Sequence, residues 1–311
     1  MSLNPRGVIF GYGIQASDFE TGVAASAGLP VRGEDEIIKF DPGHQVIETP
    51  IMRGKHGDYD DDRIAGVLKP TVSLPLYCRL DILKLFLDQT WDPTADGDGW
   101  DYALHTMANS DVDSTKGLSV WKRLTSGSSN DQRMTGVVGS SITIESSSEN
   151  QVVNLDVDCM GVGLDTDQDG SGGTYTISAV DSLLHENLTL DVGGSGVACA
   201  EVSVTINWNL VGIVDDNAAI QDFLLGKLEI TGSLRMPWAD ADILDDFISA
   251  TETDINIKWG AAASSDYLEL DLPVQWTEPS DMAAGDARLE ETVNFKLSET
   301  SGTAPTIGLE V

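Results

Sequence analysis

Asp165, Asp167, Asp169 and Gly170 fall at the spacing of the first half of a calcium loop, in which carboxylates on alternate residues converge on a hard cation. The second half is missing. Position twelve of that template, where a bidentate glutamate closes the cage, is Thr176, and neither flank has helical periodicity. DTDQDGSGG therefore reads first as an acidic linker, with Asp165, Asp167 and Asp169 as weak candidates for a casual surface ion and no cofactor expected. Cys78, Cys159 and Cys199 are odd in number, far apart and set in or beside alternating apolar runs, so they read as small buried hydrophobes. His44, His56, His105 and His185 stand alone, and no nucleophile elbow, Walker loop, zincin helix or dinucleotide fingerprint occurs. With 51 Asp and Glu in the chain, a pair of carboxylates carries no glycosidase signal. The chain is not expected to be an enzyme.

The elements that would position any site are strands. From Lys227 to Met236 the residues Leu228, Ile230, Gly232, Leu234 and Met236 take one face and charged or hydroxyl residues the other, the period of a half-buried strand. Pro237 ends it. Asp240 or Asp242 can cap a short helix that carries Ile243, Leu244, Phe247 and Ile248. An imperfect copy lies earlier, with Thr71, Ser73 and Leu74 matching Thr231, Ser233 and Leu234, and Asp81, Ile82, Leu83 and Phe86 matching Asp242, Ile243, Leu244 and Phe247. The expectation is a mainly β protein: tandem antiparallel sandwich or barrel domains, each with a short flanking helix. Residues 1–34 read as an N-terminal arm with little core of its own, 35–164 as the first domain, 165–174 as the linker, 175–298 as the second and 299–311 as a tail. Assignment between Tyr102 and Arg133 is poor.

A net charge of −33 on a chain that is 41% hydrophobic means a folded protein with an acidic surface. Two readings stay open: adaptation to high salt, and a surface that repels a polyanion. Lys and Arg number 18 and never cluster, which disfavours direct nucleic-acid binding. No apolar run approaches the roughly 20 residues of a membrane span, and Met1 to Gly13 shows no secretory signal, so assembly in the cytoplasm is expected. Two long polar connections occupy matched places, RGKHGDYDDDR from Arg53 to Arg63 and the segment from Val211 to Phe223.

The order of Gly136-Val137-Val138 with Ser140 to Ile144, a return strand ending at Gly161, the segment Val202 to Leu210, ITGSLRMP with its helix, YLELDLPVQW, and a last strand with Glu290 and Phe295 resembles the tail tube (major tail) proteins of long-tailed phages and tailed archaeal viruses. The resemblance covers about Ile37 to Leu297 and rests on order and spacing. It implies a virion tail protein whose rings stack into a tube that conducts the genome, with other tail proteins at the tube ends and no membrane partner. Three chains with pseudo-sixfold symmetry are favoured, with six as the alternative. It further implies inter-ring loops, carried here by Gly54, Lys55, His56, Asp58, Tyr59, Asp60, Asp61 and Asp62 and by Val211, Asp215 and Asp216. Glu229, Glu269, Asp271 and Glu290 are the candidate carboxylates for a lumen past which viral DNA slides unbound. The competing class is an acidic β-sandwich surface, decoration or adhesin module from a halophilic system.

Overall fold

A computed structural model describes residues 8–32, 38–43, 46–48, 63–65, 68–91, 93–96, 99–103, 112–124, 131–214, 220–237, 242–261, 266–278, 281–284, 289–298 and 305–310. Among the described residues strand makes up 59% and helix 7%, so the helices are accessories to an antiparallel β architecture. The first half runs β1 (Val8–Ile14), β2 (Ala27–Gly28), β3 (Phe40–Asp41), β4 (Val46–Glu48), β5 (Arg63–Ala65), β6 (Thr71–Tyr77), α1 (Leu80–Leu87), β7 (Thr94–Asp96), β8 (Gly99–Ala103), β9 (Leu118–Leu124), β10 (Asp131–Ser147), β11 (Asn154–Met160) and β12 (Gly163–Gln168). The second half runs β13 (Leu183–Val192), β14 (Ser195–Gly196), β15 (Glu201–Asn207), β16 (Val211–Val214), β17 (Ile220–Leu224), β18 (Glu229–Pro237), α2 (Asp242–Ser249), β19 (Thr253–Ala261), β20 (Tyr267–Trp276), β21 (Asp281–Ala284), β22 (Leu289–Leu297) and β23 (Thr306–Glu310).

These two lists pair in the same way. In the first half β1 pairs with β2 and β9, β9 with β10, β10 with β11 and β12, β11 with β6, and β6 with β3. In the second, β13 pairs with β14 and β19, β19 with β20, β20 with β22 and β23, β22 with β18, and β18 with β15. Register agrees as well: Val72 faces Cys159 and Leu74 faces Val157, while Gly232 faces Phe295 and Leu234 faces Val293. β21 continues the line of β20 along β22, as the end of β10 continues along β11. The duplication is thus a property of the fold, not only of the strand-helix unit that the sequence shows.

Strand β10 joins the halves because it changes partners along its length. Its first part lies between β9 and β12, and after the irregularity at Gly139 and Ser141 its second part lies between β11 and β15. One eight-strand sheet results, in the order β3, β6, β11, β10, β15, β18, β22, β21. Each half backs it with its own outer sheet, and among the described residues a continuous hydrophobic core from Phe10 to Leu309 lies between the layers, beside a small second cluster of Ala25, Trp121 and Tyr175. Helix α1 plugs that core with Leu80, Leu83, Phe86 and Leu87 at helical spacing, and keeps Asp81 in its first turn and Lys84 in its last, the order that the helix dipole favours.

The structure places elements in the segments expected as arm, linker and tail. Of the segment expected as an arm, Val8–Ile14 forms β1 along all of β9, and Phe10, Phe19 and Leu29 enter the core. Of the expected linker, Asp165 to Gln168 belong to β12. Of the expected tail, Thr306–Glu310 is β23, with Ile307 and Leu309 buried. β7 and β8 lie between α1 and β9, and β8 crosses to pair with β23 of the other half.

Candidate functional site: the shared sheet and its hairpins

Alternation along the eight-strand sheet buries Leu74, Ile142, Ile144, Val157, Val204 and Leu234 and turns the intervening residues outward. That outer face is built mostly of hydroxyl and amide groups. Where the halves meet, the Thr143 and Thr205 hydroxyls share a 3.0 Å hydrogen bond, and Ser203 donates to the Glu145 carboxylate at 3.3 Å. Ser141 donates to Asp158, also at 3.3 Å. Two of the face's cations are matched: Arg32 contacts Asp156 at 2.7 Å and Arg235 contacts Glu201 at 3.5 Å. Glu229 stands exposed at the start of β18. The surface is polar, and carboxylates hold the guanidinium groups of Arg32 and Arg235.

The four carboxylates singled out in the sequence separate. Glu229 is on the shared sheet, and the backbone of Glu290 pairs with Pro237 and Ala283 in that sheet. Glu269 and Asp271 lie on β20 within the outer sheet of the second half, where Asn256 donates to both and Lys258 contacts Glu269 at 3.2 Å. They line an acidic groove with Asp191, Asp246, Glu252 and Asp254. Alternation alone could not separate the two groups, because both sheets of a sandwich have a wet side.

The matched long connections are both hairpins outside the main sheets, β4 with β5 and β16 with β17. Gly54 to Asp62, Asp215 and Asp216 lie outside the described residues. Val211 is described: it is 56% exposed and pairs with Leu224, and Ile213 adds a third exposed apolar side chain to the hairpin. The opposite face anchors the hairpin, since Ile220 and Phe223 are fully buried and Phe223 packs edge-on against Phe19 of the first half at 5.1 Å. The anchored hairpin thus presents three large apolar side chains to solvent.

The Asp165 to Gly170 stretch spends its carboxylates separately. Asp165 pairs with Arg133 at 2.6 Å, while the Asp169 carboxylate accepts from the Ser171 amide at 2.9 Å. Hydrogen bonds from Ser171 hold the Asp169 carboxyl below its usual range. Among the described residues no three His, Cys, Asp or Glu side chains gather as a metal-binding group. All three cysteines are free thiols, and burial pushes Cys78 up to about 12, Cys199 to about 11 and Cys159 well above the ordinary thiol value.

Sequence patterns gave no sign of the second seam between halves. Ser146 accepts from Trp259 Nε1 at 2.9 Å and lies 3.0 Å from His185 Nδ1, which ties β10 to β19 and β13. Trp91 packs on Trp208 at 5.2 Å. Each partner is far away in sequence, and only the strand order brings them together.

Comparison with known families finds that the family described as phage tail tube protein matches residues 14–297. None of the curated proteins matches the chain.

Proposed function

Because the chain belongs to the phage tail tube family and is therefore a structural protein of the virion tail, we propose that its eight-strand sheet is a segment of the wall of a conduit for viral DNA. The observation that carries this reading is the continuity of that sheet across both halves of the chain, with the core on one side and a polar face on the other. A conduit needs a wall without gaps, and a sheet that crosses the junction between repeats supplies one. It also needs a surface that DNA does not grip. Hydroxyls and amides offer phosphates no charge, Arg32 and Arg235 are already matched by carboxylates, and Glu145, Asp158 and Glu229 repel the polyanion.

Each half then acts as one tube unit, so that three chains close a ring of six units, and stacked rings make the tube. The hairpins at the two matched positions, with Val211, Ile213 and Leu224 on one of them, reach the adjacent ring. Other tail proteins meet the tube at its ends, and assembly takes place in the host cytoplasm.

Sedimentation and electron microscopy of the purified protein at high concentration, across a salt series, test the reading. Rings or hollow filaments are expected, and a monomer under every condition overturns it. Glu145→Lys with Glu229→Lys should leave tubes intact and make them retain DNA in a salt-dependent way. Equal retention by both tubes would remove this face from the wall.

A further inference from the structure

Strand β13 starts against the other half. Its register along β19 breaks between Leu183 and Leu188, and over that break its backbone bonds turn to the first half. Leu183 N–H donates to the Cys78 carbonyl at 3.0 Å, Val153 N–H to the Leu183 carbonyl at 3.0 Å, and His185 N–H to the Gln151 carbonyl at 2.7 Å. The His185 side chain is buried at this crossing. On β10 the core-side residues Ile142 and Ile144 are followed by Ser146, a buried hydroxyl at an otherwise apolar position. Trp259 Nε1 donates to that hydroxyl at 2.9 Å, and His185 Nδ1 lies 3.0 Å from it.

Where the protons sit follows from what each group can do. An indole nitrogen only donates, so Ser146 Oγ accepts from Trp259 and has its own proton left to give. A hydrogen bond to the Cys199 backbone favours a proton on the imidazole, which makes that side of the ring Nε2–H. A neutral ring carries one N–H, so Nδ1 is the acceptor that takes the Ser146 proton. One hydroxyl thereby ties β13, β19 and the connection into β15 to β10. Protonation of the ring reverses the order: an Nδ1–H would point at an oxygen that already receives the indole proton, and the hydroxyl proton would lose its acceptor. No neighbour answers the charge. Glu186 on β13, Asp181 before it and Glu149 on the turn before Gln151 are exposed, and Glu145 lies on the opposite face of β10, where it accepts from Ser203. Glu201 pairs with Arg235, Lys258 with Glu269 and Arg79 with Asp81, while the Cys78 and Cys199 thiols are held neutral by burial.

We propose that His185 is a proton-operated latch between the two halves: neutral, it holds the start of β13 and the Trp259 end of β19 to β10, and on taking a proton it swings off Ser146 and frees that corner. The pairing of β10 with β15 runs through backbone bonds that do not involve the ring, so acid loosens the joint without parting the halves. Burial lowers the ring's pKa from 6.5, so the latch is closed above that value and opens as pH falls through the folded one.

His185→Gln tests the latch, because a glutamine can accept from Ser146 and donate to Cys199 as the neutral ring does, and it does not titrate. Hydrogen exchange of the Leu183 and Val153 amides is measured in both proteins from about pH 8 to about pH 5, spanning the histidine range. Taking the ratio of wild type to variant at each pH cancels the pH dependence of exchange itself. The ratio should be near one above pH 6.5, rise by up to about tenfold per pH unit below it, and level off once the folded ring is charged. Replacing His44, His56 and His105 by glutamine together leaves one histidine and should keep the step. A flat ratio, a step that this triple variant loses, or a nitrogen NMR signature that puts the neutral ring's proton on Nδ1 overturns the inference. Should His185→Gln fail to fold, the triple variant decides: its exchange step must coincide with the NMR titration of the one ring left, and a step displaced from that titration overturns the latch.

Discussion

Gly232 and Phe295 form the cross-strand pair that corresponds to Val72 and Cys159, so the two halves solve one packing position in opposite ways. A Cβ on Gly232 would lie 2.3 Å from Phe295 Cζ and 2.5 Å from the Ser203 carbonyl oxygen. Phe295 is 1% exposed and sits edge-on to Trp276 at 6.4 Å, leaving the ring little room to retreat. Gly232→Val should therefore cost about 3 kcal/mol, the upper end of overpacking penalties. Phe295→Cys empties the ring site and should cost a similar ~3 kcal/mol, the lower end of large aromatic truncations. Together the substitutions import the first half's pair, and valine grows into the space the ring leaves. The double variant should lose about 4 kcal/mol instead of the additive sum, a coupling of about 2 kcal/mol in the range seen for contacting residues. Urea unfolding of the four proteins measures it. Additivity within about 0.5 kcal/mol would show that the sites do not compete for the same volume and refute the equivalence argued from register.

Three further outcomes follow from burial and charge. Native protein at pH 8 should react with a thiol reagent at Cys78 and Cys159 far more slowly than unfolded protein, because burial disfavours both thiolates; rapid labelling of all three cysteines would contradict the buried placement. Burial lowers the His185 pKa below 6.5, so the stability it contributes is complete above 6.5 and is lost as pH falls from there through the folded value; His185→Gln should flatten the melting temperature across that window, and an unchanged slope would assign the dependence elsewhere. Dilution from molar salt to about 10 mM lengthens the Debye distance to about 30 Å. With −33 net charges the melting temperature should then fall, and a constant value would show self-repulsion to be negligible.

The core strands and both helices were legible because their residues obey period two or 3.6 without interruption: Leu74 and Leu76, Ile142 and Ile144, Leu268 to Val274, and α1 over Leu80–Leu87. Strands carrying glycine were not. In β1 the residues Phe10 and Tyr12 alternate with Gly11 and Gly13, which a composition reading assigns to a loop. Gly11 is small because the Tyr175 ring lies over it, 2.6 Å from where a Cβ would be. Gly308 hides β23 in the same way. The candidate wall was legible as alternation but not as a face, since Glu229 and Glu269 have the same local pattern and differ only in which sheet their strands join.

Joining two units in one chain changes the cost of building a wall from them. A ring of six separate units would form six junctions by association, each paying for lost translational and rotational freedom. In the proposed ring of three duplicated chains, three of those junctions would be β10 with β15, a pairing that forms as the chain folds and is reinforced by Ser146 with Trp259 and by Trp91 with Trp208. The linked repeat is already at high effective concentration, so this seam needs no further affinity. Fusion also frees the halves to diverge, as the glycine and phenylalanine of one and the valine and cysteine of the other show. The β7–β8 hairpin goes further: it leaves the first half after α1 and adds itself to β23 of the second, and the second half has no such insertion between α2 and β19. That strap would make the folded seam different from one formed between chains.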